Sequence, residues 1–349
     1  MEKVKNAQNQ FIASDFDILY DSPILISDLE ELQSFKVKGV EHHFVGYKMG
    51  DFNKEKFMQN LKLVVESAVD IMEDIPFNEY TFIAIGPGNG GIEHLNNTTI
   101  SFNGARLGTD AGMNKMMNFL AHEYFHHYNV KRIRPLEVGP FDYEKGSKTN
   151  LLWVSEGLSV YYEYIIVKRA GLINDRTLLQ NFEKNINTFE NNPGRKHQSL
   201  TQASYETWKD GPFGNRGKGT SISYYQKGPI VGLLFDFAIR NATENEKSLD
   251  DVMRYLYREY YKKKKRGFSD AEFQEACETI AGVSLKSLLE YVYTTKEIDY
   301  NKYLNFGGLQ IEFKINPTDK KRKYTLKKIE KPSFLQLEIL NSWLGYNKV

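Results

Sequence analysis

Two histidines stand four residues apart, with a glutamate directly after the first, in the stretch FLAHEYFHHYNVKRIRP at residues 119–135. The segment from Asn118 to Val130 lacks proline and glycine and has helical apolar spacing, which predicts a helix. On a helix, His122 and His126 lie on one face, one turn apart, where both rings can share one metal ion. This HExxH arrangement is typical of zinc sites in which the histidines are ligands and Glu123 is the general base.

A catalytic zinc needs a third protein ligand and an open position for water. The sequence offers Glu156, in LLWVSEGLSVYYE at residues 151–163, early in a second predicted helix that the intervening loop allows to fold back on the first. Glu163 lies two turns further along the same face, where its carboxylate can fix the tautomer of a ligand histidine. A chance motif match, and a solvent-facing helix glutamate at Glu163, are the alternatives. His127 points away from the ligand face and is expected to be structural.

The composition is that of a globular protein with a real core, because 41% of residues are hydrophobic and 26% are charged. A net charge of +1 gives no reason to expect nucleic acid or an anionic membrane as partner. The single cysteine, Cys277, excludes an intrachain disulfide and is expected to be buried. The start has no apolar stretch of signal-peptide length, and no apolar run approaches a membrane span of ~20 residues. A cytoplasmic location follows, with a periplasmic or secreted one as the alternative for a trimmed chain; the oligomeric state stays open.

Three regions are predicted along the chain. Residues 1–170 form a mixed α/β lobe with N-terminal strands and the zinc-site helices, 171–305 a helical lobe, and 306–349 a short C-terminal β extension. The first fifty residues are predicted to be strands, in FDILYDSPILIS and FKVKGVEHHFVGY. Capped helix starts are predicted at serines followed three residues later by an acidic residue, namely Ser248 with Asp251 and Ser269 with Glu272.

HEYFHHYNVKRIRP followed by LWVSEGLSVYYE resembles the glycyl aminopeptidase family of zinc peptidases, which are gluzincins with a glutamate as third ligand. The resemblance extends to YDSPILI, GGIEH, SYYQKGPIVGLLFDFAIR and YLNFGGLQIEF, and so covers residues 16–313. It implies an α+β fold: a gluzincin (thermolysin-like) catalytic core with a mixed α/β lobe followed by a mainly helical lobe. Family members usually carry an N-terminal β domain and a C-terminal PDZ domain, most of which this chain is expected to lack.

The resemblance also implies roles for two further motifs. In related gluzincin aminopeptidases a Tyr-x-Lys-Gly motif supplies a phenol that donates to the developing oxyanion; here that is Tyr225, with Tyr224 the less favoured neighbour and a core tyrosine the alternative. In GGIEH, Gly91 lets the backbone approach a substrate closely, Glu93 can pair with the free ammonium of a peptide, and His94 can assist.

The expected function is therefore that of a zinc-dependent peptidase acting on peptides, an aminopeptidase releasing small N-terminal residues by metal-activated water attack. One alternative is a zinc endopeptidase, which would not need the ammonium-binding carboxylate of Glu93. The other is a non-catalytic peptide-binding or scaffold relative, which would have no need of Glu123 as a base. Cleavage of acetylated peptides distinguishes the first alternative, and the intact catalytic set argues against the second.

Overall fold

The computed structural model describes residues 2–5, 8–214 and 219–346, with an N-terminal half built around a mixed sheet and a mainly helical C-terminal half. The strands are Glu2–Lys3 (β1), Phe11–Ile12 (β2), Glu30–Glu31 (β3), Phe35–Val37 (β4), Val40–Tyr47 (β5), Glu79–Ile85 (β6), Gly91–Glu93 (β7), Asn97–Ser101 (β8), Leu309–Ile315 (β9) and Arg322–Lys328 (β10). The α-helices are Phe16–Tyr20 (α1), Lys54–Met72 (α2), Asp110–Phe125 (α3), Leu158–Arg169 (α4), Asp175–Glu190 (α5), Leu200–Tyr205 (α6), Thr207–Asp210 (α7), Tyr224–Ala242 (α8), Leu249–Leu256 (α9), Asp270–Ala281 (α10), Lys286–Tyr293 (α11), Tyr300–Leu304 (α12) and Phe334–Trp343 (α13). Trp153–Gly157 and Tyr257–Lys264 are π-helical.

The main sheet has the strand order β3-β5-β6-β8-β7, with β4 also paired to β5. β5, β6 and β8 run parallel, and β7 lies antiparallel to β8 at the edge, with Glu93 opposite Thr98. Alternate side chains of β5 and β6, such as Phe44 and Phe82, are fully buried, which gives one strongly apolar face. Helix α3 contacts both β7 and β8. The edge of the sheet and the histidine-bearing helix therefore border the same space.

The helix that carries the histidines begins earlier and ends earlier than its sequence pattern predicts. The Thr109 hydroxyl accepts a hydrogen bond from the Gly112 amide at 3.0 Å and caps the helix, so that it starts at Asp110. The predicted continuation to Val130 is wrong, because the helix ends at Phe125 and Val130 has φ of 132°, which no helical residue adopts. The spacing of the two histidines survives, since the His126 amide still donates to the His122 carbonyl at 3.2 Å.

The N-terminal segment departs from the predicted strands. FDILYDSPILIS contains the short helix Phe16–Tyr20 followed by irregular chain, whereas the predicted strand in FKVKGVEHHFVGY is present as β4 and β5. The reason lies in Asp15, whose carboxylate accepts from the Ile18 amide at 2.9 Å and starts a helical turn that the β-rich composition did not indicate. Elsewhere, the capping boxes at Ser248 and Ser269 are confirmed.

Helix α5 holds the C-terminal hairpin β9–β10 through three side chains one turn apart, which we call the side-chain ladder: Glu183, Asn187 and Asn191. The Asn187 amide donates to the Tyr324 carbonyl at 3.0 Å and accepts from the Tyr324 amide at 2.8 Å. Asn191 makes the same pair of bonds with Arg322, at 2.7 and 2.9 Å, and Glu183 accepts from the Leu326 amide at 2.8 Å. The ladder thus fixes β10 along the helix as a neighbouring strand would.

Cys277 is fully buried in α10, as predicted. Helix α13 follows the hairpin, and its Trp343 is also fully buried; this helix was not predicted from the sequence. Within the described stretches, no helix has both the length and the apolar character that crossing a bilayer requires.

Candidate active site

The structure brings the two histidines of α3 into contact, with their Nε2 atoms 2.9 Å apart. Nδ1 of His126 lies 2.8 Å from the Asn129 carbonyl oxygen, and Nδ1 of His122 lies 3.0 Å from Oε2 of Glu163. A carbonyl or carboxylate oxygen can only accept, so each Nδ1 carries the proton and each Nε2 presents a lone pair. Two Nε2 atoms at this distance can share a proton or bind one metal ion together.

Glu156 completes a triangle of ligand atoms. Its Oε2 lies 3.4 Å from Nε2 of His122 and 3.3 Å from Nε2 of His126. Ligands held about 2.0–2.1 Å from a tetrahedral zinc lie about 3.3–3.4 Å from one another, which the two Glu156 contacts match. The two Nε2 atoms, 2.9 Å apart, are closer than this, so the rings would separate slightly around a bound zinc. Among the described residues, no other group of three histidine, cysteine or acidic side chains meets in this way.

The ionisable groups of the triangle shift one another's pKa values. Burial opposes ionisation of Glu156, yet the neighbouring His126 and His122 hold the pKa of its carboxyl below the ordinary value. Burial likewise disfavours charge on His122, and Glu156 and Glu163 nevertheless hold the pKa of that imidazole well above its usual range. The carboxylates therefore favour positive charge at the imidazoles, which a proton supplies in the absence of metal and a divalent cation would supply in its place.

Glu156 occupies the π-helical turn Trp153–Gly157, and Asn129 joins that turn to α3. The Asn129 side-chain amide donates to the carbonyls of Val154 and Ser155 at 2.8 and 3.0 Å, while its own backbone carbonyl accepts from His126. One fully buried residue therefore orients the second histidine and holds the turn that carries the third ligand. Asn129 was not predicted from the sequence, since its only signal there is its position three residues after His126.

Glu123 is buried beside the ligand triangle, against the edge strand. A Cβ atom on Gly91 would lie 2.9 Å from its Oε1, so only glycine leaves room for the carboxylate there. The Thr98 hydroxyl lies 3.4 Å from the other carboxylate oxygen and 3.1 Å from the Ile92 carbonyl. Burial raises the pKa of the Glu123 carboxyl, which suits a group that exchanges protons near neutral pH. Thr98 was not singled out in the sequence, because its approach depends on strand register.

Glu163 was predicted to orient a ligand histidine, and its Oε2 lies 3.0 Å from Nδ1 of His122. Burial raises the pKa of its carboxyl, and His122, His126 and Lys184 oppose that rise. His127 lies away from the triangle, fully buried among aromatic rings such as those of Tyr124 and Tyr128.

Of the two neighbouring tyrosines at the start of α8, Tyr225 faces the site. Its ring centroid lies 6.2 Å from that of His122, and burial together with the Glu156 carboxylate raises the pKa of its phenol. The Tyr224 hydroxyl instead lies 3.0 Å from the Thr207 hydroxyl. A neutral phenol beside the ligand triangle is available as a hydrogen-bond donor.

Glu93 and His94 lie at the end of β7, along the cleft. Burial is the main reason that the pKa values of Glu123 and Tyr225 are raised, and the Glu93 carboxylate adds to both. Nδ1 of His94 lies 3.0 Å from Asp21, which also accepts from Lys131 at 2.7 Å. The His94 ring is thus held by the N-terminal segment, whereas Glu93 remains half-buried at the cleft.

Comparison with known families and structures agrees with this geometry. Residues 115–231 match the M61 glycyl aminopeptidase family, a span that contains both histidines, Glu156 and Tyr225. An aminopeptidase N family protein from Idiomarina loihiensis is 26% identical, with a TM-score of 0.82 over 88% of this chain and 54% of that chain. An M1 zinc metallopeptidase from Deinococcus radiodurans, 11% identical, has the same fold with a TM-score of 0.51 over 78% of this chain and 53% of that chain.

The chain spans about half the length of these two structures. A comparison with curated protein sequences finds no match. The family match confirms the resemblance to the glycyl aminopeptidase family that the motifs carry, and the structural likeness confirms the predicted α+β fold.

Proposed function

We propose that this protein is a zinc-dependent peptidase, and specifically an aminopeptidase that releases small N-terminal residues from peptides. The observation that supports this most directly is the convergence of the Nε2 atoms of His122 and His126 and the Glu156 carboxylate beside a buried Glu123. A binding protein would need neither the base nor the cation site. The aminopeptidase name of the structural neighbour from Idiomarina loihiensis is consistent with the proposal.

His122, His126 and Glu156 would hold the zinc. Zinc bound there supplies Lewis acidity, which makes water a nucleophile near neutral pH and polarises a peptide carbonyl. Glu123 takes the proton that the attacking water gives up and returns it to the departing amine, so that it acts first as base and then as acid. The raised pKa of its carboxyl brings it closer to the pH at which both transfers are favourable.

Tyr225 would donate its hydroxyl proton in a hydrogen bond to the oxygen that gains charge as the carbonyl is attacked. Because burial and Glu156 raise its pKa, the phenol stays protonated at neutral pH and cannot repel that oxygen. Glu163 and Asn129 keep the two histidine rings oriented.

The exopeptidase preference is proposed from Glu93. An N-terminus differs from an internal residue by its ammonium, and a carboxylate near the reacting carbonyl can bind it through a charge-assisted hydrogen bond. Glu93 ends the edge strand that borders Glu123 and is half-buried there. Burial raises the pKa of both Glu123 and Tyr225, and the Glu93 carboxylate is near enough to add to both shifts, which supports a place beside the reacting groups.

The proposal is tested by measuring zinc content and hydrolysis of free-amine peptides together. We expect about one zinc per chain, and Glu123→Gln should keep the zinc but lower turnover by at least about 10². Glu275→Gln, on the exposed side of α10, is the matched control and should behave as wild type. Zinc-loaded wild-type protein that hydrolyses no peptide would refute the proposed activity.

A second measurement separates the aminopeptidase from an endopeptidase. Glu93→Ala should lower kcat/KM for free-amine peptides at least about tenfold, because removing one partner of a desolvated charge pair costs roughly 2–5 kcal/mol. N-acetylated peptides should be poor substrates of the wild type and insensitive to the substitution. Equal cleavage of acetylated and free peptides at internal bonds would favour the endopeptidase.

A further inference from the structure

A cavity of about 780 Å³ lies between α5, the residues around Phe213 and the start of β10. The side-chain ladder forms it, because the bonds from Asn187 and Asn191 to β10 bring Lys321 and Arg322 beside Lys184. The wall is therefore assembled from two segments far apart in the sequence and held by four hydrogen bonds to backbone groups.

The cavity adjoins the catalytic residues. The Phe213 ring, which lines it, lies 5.4 Å from the Tyr225 ring, and Gln226, also in the lining, follows Tyr225 in α8. Lys184 is near enough to Glu163 to influence the pKa of that carboxyl. Glu93 and the rest of β7 do not line the cavity, so it is separate from the proposed ammonium site.

The charged groups of the cavity are all positive among the described lining residues: Lys184, Lys321 and Arg322. Lys184 has no carboxylate partner within ion-pair distance in the described part of the chain, and Lys321 has only the exposed Asp319, at 3.9 Å. Arg322 stacks over Phe313 at 5.1 Å. It also borders a second cavity, of about 270 Å³, whose lining includes Glu190 and Glu297, so these two carboxylates partly offset its charge. Among the described lining residues, the two lysines are therefore the positive charges that carboxylates neutralise least.

We propose that this cavity binds a carboxylate on the part of the peptide that follows the scissile bond, with Lys184 and Lys321 as the recognising groups. The inference rests on the proposed function: with the ammonium at Glu93 and the first carbonyl at the ligand triangle, the residues that follow need a surface that β7 does not form, and the cavity beside Tyr225 provides one. The carboxylate has two possible sources, the C-terminus of a short peptide or an acidic side chain, and both present the same group to a lysine.

Binding is measured first, in the Glu123→Gln variant, so that no turnover is needed. Calorimetry compares Gly-Ala-Ala with its C-terminal amide, and the amides of Gly-Glu-Ala and Gly-Gln-Ala. Exposed ion pairs contribute little each, so we expect a preference of about three- to tenfold for the carboxylate ligand. The first pair reports on a C-terminal carboxylate and the second on an acidic side chain. Added salt should reduce the preference.

The same ratios are then measured after Lys184→Gln and Lys321→Gln are combined with Glu123→Gln. The ratio of affinities should fall to about one. Lys323 follows Arg322 in β10 and does not line the cavity, so Lys323→Gln should leave the preference intact. Equal affinities for acid and amide in both pairs, or a preference that survives the lysine substitutions, would overturn the inference.

Hydrolysis by the zinc-loaded wild type distinguishes failure of this subsite from failure of the proposed function. Carboxylate preference in binding without hydrolysis of any peptide refutes the activity and leaves the subsite. Hydrolysis of acids and amides at equal kcat/KM, with equal binding, refutes the subsite and leaves the activity.

Discussion

Gly157 and Gly228 bring two helical segments into backbone contact: a Cβ atom on Gly228 would lie 2.5 Å from the Cα of Gly157. Gly157 follows the proposed ligand Glu156, and Gly228 lies in the turn of α8 that begins with the two tyrosines. The absence of side chains at this crossing sets how closely Tyr225 can approach the ligand triangle.

Gly228→Ala should therefore lower both the stability of the fold and the turnover rate. Overpacking at a backbone contact costs about 1–3 kcal/mol, which thermal or denaturant unfolding will report. Separation of the helices should also lower kcat more than it lowers the zinc content. Gly108→Ala is the control, because a Cβ there meets nothing within 4 Å. Wild-type stability and turnover in Gly228→Ala would show that the crossing tolerates a methyl group.

Asn129→Ala should weaken metal binding. The substitution removes the amide that holds the turn carrying Glu156, and residues that orient ligands in this way typically affect affinity by 10–100-fold. Competition with a chromogenic chelator measures the change. Ser159→Ala is a graded comparison. The Ser159 hydroxyl accepts from Asn129 at 3.1 Å and donates to the Ser155 carbonyl at 2.7 Å, whereas Asn129 holds two carbonyls of the turn, so the effect of Ser159→Ala should be smaller. Unchanged zinc affinity in Asn129→Ala would assign Asn129 to fold stability alone.

The adjacent tyrosines form a matched pair for testing transition-state donation. Tyr225→Phe should lower kcat by about 10²–10³ with little change in zinc content or KM, the pattern of a group that acts only in the transition state. Tyr224→Phe should have a small effect, because its hydroxyl bonds to Thr207. Equal turnover of Tyr225→Phe and wild type would return Tyr225 to a packing role.

His42 should make the fold sensitive to acid. Its ring is fully buried, stacks on Phe35, and bonds at both nitrogens to Val40 and Tyr124; burial lowers its pKa from 6.5 to about 4. The unfolded chain therefore binds a proton that the folded chain excludes, so the free energy of unfolding falls as pH drops from 6.5 toward 4, by up to about 3 kcal/mol from this residue.

Chemical denaturation between pH 4 and pH 7, with chelator present so that metal loss does not contribute, measures this slope. His42→Gln should flatten it relative to wild type. His43→Gln, on the opposite face of the same strand and half-exposed, should leave it unchanged. A wild-type slope in the His42 variant would assign the acid sensitivity to other groups, among them the buried His127, whose pKa burial also lowers.

Features formed by residues close together in the sequence could be predicted, whereas contacts between distant segments could not. His122, Glu123 and His126 occupy one turn of one helix, so their relation follows from helical geometry. Asn129 and Thr98 reach the site only because a π-helical turn and a neighbouring strand approach it, and no spacing in the sequence encodes those contacts. A capping aspartate overrode a β-like composition at Phe16–Tyr20, which is why the first predicted strand was wrong.

The hairpin shows the same limit over a longer range. Strands β9 and β10 could be predicted from their alternation, but their docking depends on amide side chains of α5 more than a hundred residues earlier. Asparagines on a helix ordinarily indicate exposed, polar positions. Only the structure shows that they substitute for a strand partner.

The side-chain ladder also has a consequence for the order in which the chain matures. The proposed ligands and the hydrogen-bond partners of their rings lie between residues 122 and 163, and the glycine of α8 that contacts the ligand-bearing turn is Gly228. Every contact described for the metal centre therefore precedes β10 in the chain. The wall that carries Lys321 forms only when β10 emerges and pairs with α5, a contact between distant segments that forms late. A nascent or C-terminally clipped chain would then hold zinc before it could select among substrates.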